Sequence, residues 1–335
     1  MVVFVYEFVT GGGFAASGEA VLRGPLLQEG GAMLRAITGD FALIPGMEVV
    51  GLKDARLGAM NLGSRQEFLV RSAEEERLHL ERLAAKADFT LLIAPELERA
   101  LLERVSWATS AGARLLSPDV EFVRVASSKT LTVEYLSRQK IPVPRGAPVA
   151  DEKEWRSLRF PLIAKRDDGA GSMEMRLLHQ REDIRAISHS INYRLEEFHP
   201  GLATSCAVLC GPEGNIALPA CTQLLQPETF AYLGGKTPLP ASLDHRARSL
   251  ALAALAALPP TVGYVGVDMI LGNAPDGRED VVIEVNPRLT TSYVGLRIAC
   301  RQNIAAAMLD VATGRPVAIS FGSQQVEFHA DGSVG

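Results

Sequence analysis

The sequence predicts an α/β domain followed by an α+β region: a parallel sheet with crossover helices, then short strands that pair antiparallel. Three observations carry this. Up to about residue 117, apolar strand-like runs alternate with segments of helical periodicity, the order that builds a parallel sheet. From about residue 160 the strands become short and are broken by turn-forming stretches such as "DDGAGS", "HPGLAT" and "GPEG", which suits antiparallel pairing. Near the C-terminus, two alternating strands flank a turn containing Pro275, Asp276 and Gly277.

In chain order, "VVFVYEF" (2–8), "MEVVGL" (47–52), "FTLLIAP" (89–95) and "ARLLSP" (113–118) read as the strands of the first sheet. Between them, 26–37, 73–87 and 96–112 carry apolar residues at helical spacing. A capped helix, "SSKTLTVEYLSRQ", precedes the stiff "IPVP". Then come the strands "PLIAKR", "MEMRLL", "YRLEEF", "SCAVLC" and "NIALPACTQLL", with a helix expected over "REDIRAISHSI" (181–191). The Ala-rich run 250–260 reads as a buried helix, too short to span a bilayer and ended by two prolines.

Composition narrows the function classes. A chain of 335 residues, 47% hydrophobic and 22% charged, allows two or three folding units of ordinary globular character. A net charge of −5 without basic blocks gives no reason to expect nucleic acid. The N-terminus shows neither a basic segment nor a small-residue cleavage site, so no signal peptide is expected. Cys206, Cys210, Cys221 and Cys300 form no CxxC pair and read as buried thiols in a reducing cytoplasm rather than as metal ligands.

The sharpest signal is "GYVGVDMIL" followed by "VVIEVNPR". A turn centred on Asp276 places Asp268 opposite Glu284, with Asn286 on the same face and Val281, Ile283 and Val285 on the other. Two facing carboxylates repel unless a cation lies between them. Oxygen ligands of this kind suit Mg2+, with Mn2+ as a substitute. Arg288, of the same parity just after Pro287, offers a planar guanidinium to phosphate or carboxylate oxygens. Lys165 ends a strand before a loop with Gly169, Gly171 and Ser172, whose backbone can wrap an anion. That loop lacks P-loop spacing, and "TGGGF" at 10–14 lacks dinucleotide-binding spacing.

The ordered set, comprising the N-terminal α/β domain, Lys129 before "IPVP", "PLIAKRDDGAGS", "LEEFHPG", "GVDMIL" and "IEVNPR", resembles the ATP-grasp superfamily over essentially the whole chain. The resemblance implies an ATP-grasp fold in which two antiparallel subdomains clamp ATP. It divides the chain into a Rossmann-like domain (1–117), a linker helix with the small subdomain (118–200) and a C-terminal subdomain bearing the metal site (201–335). It implies that Lys129 and Lys165 touch the nucleotide phosphates and that residues 167–172 form a flap. Glu196, Glu197, Phe198 and His199 fall at the adenine-side hinge. Asp268, Glu284 and Asn286 fall at the metal ligands, and Arg288 at the arginine that steadies an acyl phosphate. Many relatives carry an acid for the ribose beyond the hinge; here "GLATS" offers only Thr204 or Ser205. The arginine that some ligases place before the metal strand is also missing from "GYVGVD".

Within the superfamily, "EFVTGGG", "IAPELE" and "NPRLTTSYVG" look most like the tyramine–glutamate ligases of methanofuran biosynthesis. The expectation is a cytoplasmic, ATP- and Mg2+-dependent carboxylate–amine ligase acting on small molecules, with no nucleic-acid or membrane partner and a homodimer left open. Glu7, Gly11, Gly12, Gly13, Thr290, Thr291 and Ser292 are the expected substrate contacts. A ligase for another amino acid and amine, a small-molecule kinase of the same fold, and a nucleotide-binding module without turnover stay open as alternatives.

Overall fold

The computed structural model describes residues 1–17, 22–169, 175–187, 192–227 and 229–335. The first sheet is built from β1 (Val2–Glu7), β2 (Glu48–Asp54), β3 (Gln66–Val70) and β4 (Phe89–Ile93), all parallel, in the order β3-β2-β1-β4. The crossover elements are α1 (Pro25–Ala42), α2 (Ala73–Ala84) and α3 (Ala100–Ser110). One expected strand is corrected. "ARLLSP" makes a single bridge, Leu115 to Thr90, and the fourth strand is "QEFLV" at 66–70. As a half-exposed edge it carries no continuous apolar run.

Local chemistry explains the helix starts. Ser72 Oγ accepts from Glu75 N–H at 3.2 Å, and Glu74, Glu75 and Glu76 lie in the first turn of α2, where acids complement the helix dipole. The third helix begins at Ala100 rather than at 96, because Glu98 and Arg99 take left-handed φ values of 50° and 64°. Next come α4 (Val120–Ala126) and α5 (Lys129–Arg138), where Ser128 caps the N-terminus and fixes Lys129 as the first helical residue.

The second sheet contains β5 (Gly146–Pro148), β6 (Leu162–Arg166), β7 (Arg176–Leu178) and β8 (Tyr193–Glu197), antiparallel in the order β5-β8-β6-β7, with α6 (Glu152–Trp155) beside it. Its core, including Trp155, Leu162, Tyr193 and Leu195, is its own. The helix expected over 181–191 is a 3-10 segment at Arg181–Ala186, and residues 188–191 lie outside the described residues.

The third sheet joins β9 (Leu202–Cys210), β10 (Ile216–Ala217), β11 (Cys221–Thr222), β14 (Gly263–Leu271) and β15 (Val281–Asn286). A smaller sheet unites β12 (Leu224–Leu225), β13 (Tyr232–Thr237) and β16 (Val326–His329). The Ala-rich α7 (Ala241–Ala256) buries Ala247, Ala251 and Ala254, one helical stripe, in a cluster with Val208, Val265 and Val267 of β9 and β14. On the other side, α8 (Ser292–Ala299) and α9 (Ile304–Ala312) share one core with α1 and β1. There Tyr293 Oη donates to Asp40 Oδ2 at 2.6 Å, and Arg297 also binds Asp40. The first and third sheets are thus fastened together, while the second has a separate core. No described helix is long and apolar enough to cross a membrane.

Candidate active site

Strands β14 and β15 pair antiparallel with Asp268 opposite Glu284 and Gly266 opposite Asn286. The register then slips: Met269 pairs with Val282, leaving Ile283 as an extra residue on β15. This bulge corrects the expected alternation. Val282 and Val285 enter the core, whereas Ile283 and Glu284 both line the cavity. On its other side Asp268 faces Ser205 of β9. Burial, and next the charge of Glu284, push the Asp268 carboxyl up to about 6, against hydrogen bonds from Ser205, Asn286 and Gln223. Asn286 Nδ2 donates to Asp268 Oδ2 at 3.0 Å.

The buried Lys129 Nζ lies 3.1 Å from Glu284 Oε1 and donates to the Gly169 carbonyl at 2.7 Å. Burial alone would lower this ammonium's pKa; Glu284, aided by the charges of Glu96 and Glu196, outweighs it and holds it above the usual lysine range. Among the described residues no three His, Cys, Asp or Glu side chains converge as a metal cluster. The set here is two carboxylates and an amide, oxygen donors of the kind that would suit a divalent ion.

Lys165 and Glu196 come from adjacent strands, β6 and β8. Their side chains meet at 2.7 Å, and Arg194 Nε completes the group at 3.1 Å from Glu196. Burial works against ionised Glu196, but Lys165 and then Arg194 outweigh it, so its pKa lies below the usual range. Glu197 pairs with Arg159 at 3.0 Å near the rim. Phe198 is exposed, and its N–H is already taken by the Pro161 carbonyl at 3.0 Å. His199 Nε2 lies 2.7 Å from the Glu279 carbonyl. Thr204 Oγ1 donates within its own strand to the Leu202 carbonyl, and the residue does not line the cavity, whereas its neighbours Ala203 and Ser205 do. Gly169 is described; Gly171 and Ser172 lie outside the described residues.

Arg288 reaches back to the first domain, where Glu96 receives its Nε at 3.0 Å and its Nη2 at 3.2 Å. Glu96 opens the left-handed kink that delays α3, and the next residue but one, Glu98, donates its N–H to Asp168 Oδ2 at 3.1 Å. Beyond Arg288, Thr290 and Ser292 share hydrogen bonds with Tyr264 Oη at 3.3 and 3.2 Å, and Thr291 donates to Glu29 of α1. Glu7 does not line the cavity. Its carboxylate accepts from Val9 N–H, Thr10 N–H and the Thr10 hydroxyl, and a Cβ at Gly30 would collide with it. Gly11, Gly12 and Gly13 likewise pack against Tyr6, Val70 and Phe8 rather than facing the cavity.

A cavity of about 320 Å3 lies between the second and third sheets; Lys129 is not among its lining residues and reaches it only through its partner Glu284. Pro144, Ile163 and Met175 line it from one side, Ile270 and Ile283 from the other, so an apolar slot leads to the charged floor. Lys165, Glu196, Asp268, Glu284, Asn286, Arg288 and 290–292 all border it. The sequence reading missed Glu96, Arg194 and Glu29. For Glu96 a signal existed in "IAPELE"; for Glu29, on a helix surface in sequence, none did.

Residues 126–292 match the model of the ATP-grasp domain, and 47–123 that of the pre ATP-grasp 3 domain. A tyramine–L-glutamate ligase from Methanocaldococcus fervens is 23% identical over 299 residues, 89% of each chain. One from Methanocaldococcus jannaschii is 26% identical over 211 residues, 63% of this chain and 58% of that protein. Biotin carboxylase from Campylobacter jejuni superposes with a TM-score of 0.73 at 17% identity, over 97% of this chain and 74% of that one. N5-carboxyaminoimidazole synthetase from Staphylococcus aureus, complexed with ADP, gives 0.72 at 12% identity, over 97% and 81%. At these identities the solved structures speak for the fold.

Proposed function

The chain belongs to the ATP-grasp family, and on that premise we propose that it joins the carboxylate of glutamate to the amine of tyramine. The coarser class is an ADP-forming carbon–nitrogen ligase acting on small molecules. We read the step as part of methanofuran-type cofactor synthesis, a reading supported by the likeness to the two tyramine–L-glutamate ligases. The observation that carries the reading is the facing pair Asp268–Glu284, which borders the same cavity as Lys165 and Arg288.

In this reading the purine lies in the slot between Ile163 and Ile270–Ile283, and Lys129 and Lys165 offset phosphate charge. Asp268, Glu284 and Asn286 hold a divalent cation, which when bound supplies charge screening for the phosphates. A carboxylate oxygen of the substrate attacks the γ-phosphorus, the bond to the β–γ bridging oxygen breaks, and ADP leaves. The amine nitrogen then attacks the acyl carbon, phosphate departs with the bonding pair, and the nitrogen sheds a proton to leave the amide. Positioning and charge neutralisation carry such chemistry, so no protein nucleophile is required.

The test incubates the protein with MgATP, glutamate and tyramine, following ADP and the amide product by mass. ADP and amide that appear only with both substrates support the reading. ADP formed equally without amine points to a kinase. Turnover with a different amino acid keeps the ligase and discards this pair.

A further inference from the structure

The carboxylates that border the cavity among the described residues differ in what neutralises them. Glu196 has Lys165 and Arg194, Glu197 has Arg159, and Glu284 has Lys129. Asp268 faces Glu284 in the cation-binding pair. Glu29, in the second turn of α1, shares with Asp268 the lack of a lysine or arginine salt bridge among the described residues, but it stands outside the facing pair, and its hydrogen-bond partner is the Thr291 hydroxyl. It lines the cavity together with Arg288, Thr290, Ser292, Tyr232 and Gln223.

An amino acid presents a carboxylate and an ammonium a few ångströms apart, so its receptor must offer one group of each sign. Arg288 is the cation at this end of the cavity, and Glu96 fixes it through Nε and Nη2. Glu29 lies near enough to Arg288 to add to the field that holds the guanidinium protonated. A half-buried carboxylate that, among the described residues, is bound by one hydroxyl keeps acceptor capacity for a charged donor. From this geometry we infer that Glu29 binds the ammonium of the amino-acid substrate and thereby selects amino acids over plain carboxylic acids.

This inference rests on the ligase reading above, and its test separates the two. Wild type and Glu29→Gln are titrated calorimetrically, in the presence of MgADP, with glutamate and with glutarate, the same dicarboxylate lacking the ammonium. The amide keeps the hydrogen bond to Thr291 and removes only the charge. Wild type should prefer glutamate by about 10- to 100-fold, the span of a hydrogen bond to a charged group. Glu29→Gln should bind the two ligands alike, and Glu29→Asp should recover part of the preference. A preference that survives Glu29→Gln overturns the inference, as does a wild type that binds neither ligand or does not discriminate. If the preference is present and lost on substitution but no ADP forms with glutamate and tyramine, the substrate pair falls and the role of Glu29 stands.

Discussion

Lys165 and Lys129 are both buried in the same site and both end in ion pairs, yet the pairs are built differently. Lys165 meets Glu196 within one sheet, and Arg194 of that sheet stands at the same carboxylate. The charge is settled locally, with a second cation in reserve. Lys129 spans elements: from the first residue of α5 it reaches Glu284 on β15 and the carbonyl of Gly169 after β6. Glu284 has no second cation among the described residues, and Asp268 lies opposite. A buried charge is tolerated when paired, and removing its single partner is costly. The comparison therefore makes Lys129, rather than Lys165, the keystone of the cation-free site.

The largest expected effect comes from removing the acid that Lys129 serves. Glu284→Gln should fold but melt below wild type, because buried Lys129 loses its carboxylate partner, a loss only partly offset as Asp268 sheds a repelling neighbour. Its turnover should fall about 100- to 1,000-fold, typical for loss of one preorganised electrostatic contact. ADP release within a few-fold of wild type would remove Glu284 from the chemistry. Next, Lys129→Ala should destabilise the cation-free protein by about 2 kcal/mol, because half-buried Glu284 loses its ion-pair partner while facing Asp268. Added Mg2+ should recover much of that loss in a thermal melt, since the ion replaces the missing charge. A melt identical to wild type without Mg2+ would end the keystone argument.

Lys165→Ala should cost less stability, because Arg194 still holds Glu196. ATP affinity should weaken at the same time. A loss equal to that of Lys129→Ala would show that Arg194 gives no reserve. The smallest effect is in pH. The Asp268 carboxyl, raised to about 6, must lose its proton before it can bind a cation. Cation affinity measured by calorimetry should therefore fall by about tenfold per unit as pH drops below that value. For the cation-free fold the sign is opposite. A raised folded-state pKa adds stability below the ordinary aspartate range, and that stability is lost as pH rises through about 6. A flat affinity between pH 5 and 7 would contradict this environment for Asp268.

The sequence made the hairpin legible because a period of two, interrupted by polar residues, leaves few registers, and Asp268 does face Glu284. The bulge was not legible: in "VVIEV" neighbouring valine and isoleucine are equally apolar, so either alternation reads well. Ion pairs such as Lys165–Glu196 depend on pairing between strands about thirty residues apart, which no local pattern encodes. The kink at 98–99 was hidden for a similar reason, since "ELERALLERV" has helical periodicity throughout and tertiary contacts override it at Glu96. Glu7 looked like a ligand because it ends the first strand, where such sheets bind substrates. Its side chain instead caps its own turn, and Glu29 takes the place beside the cavity.

Ile283 turns that unpaired position into a modular part. Without it, Val282 and Glu284 would be consecutive and already in register with Met269 and Asp268. Excising Ile283 would thus keep the acid facing the cavity and the valine in the core, and would take away one apolar wall of the slot. A single-codon deletion, rather than a substitution, is the lesion that separates the apolar slot from the charged floor beneath it.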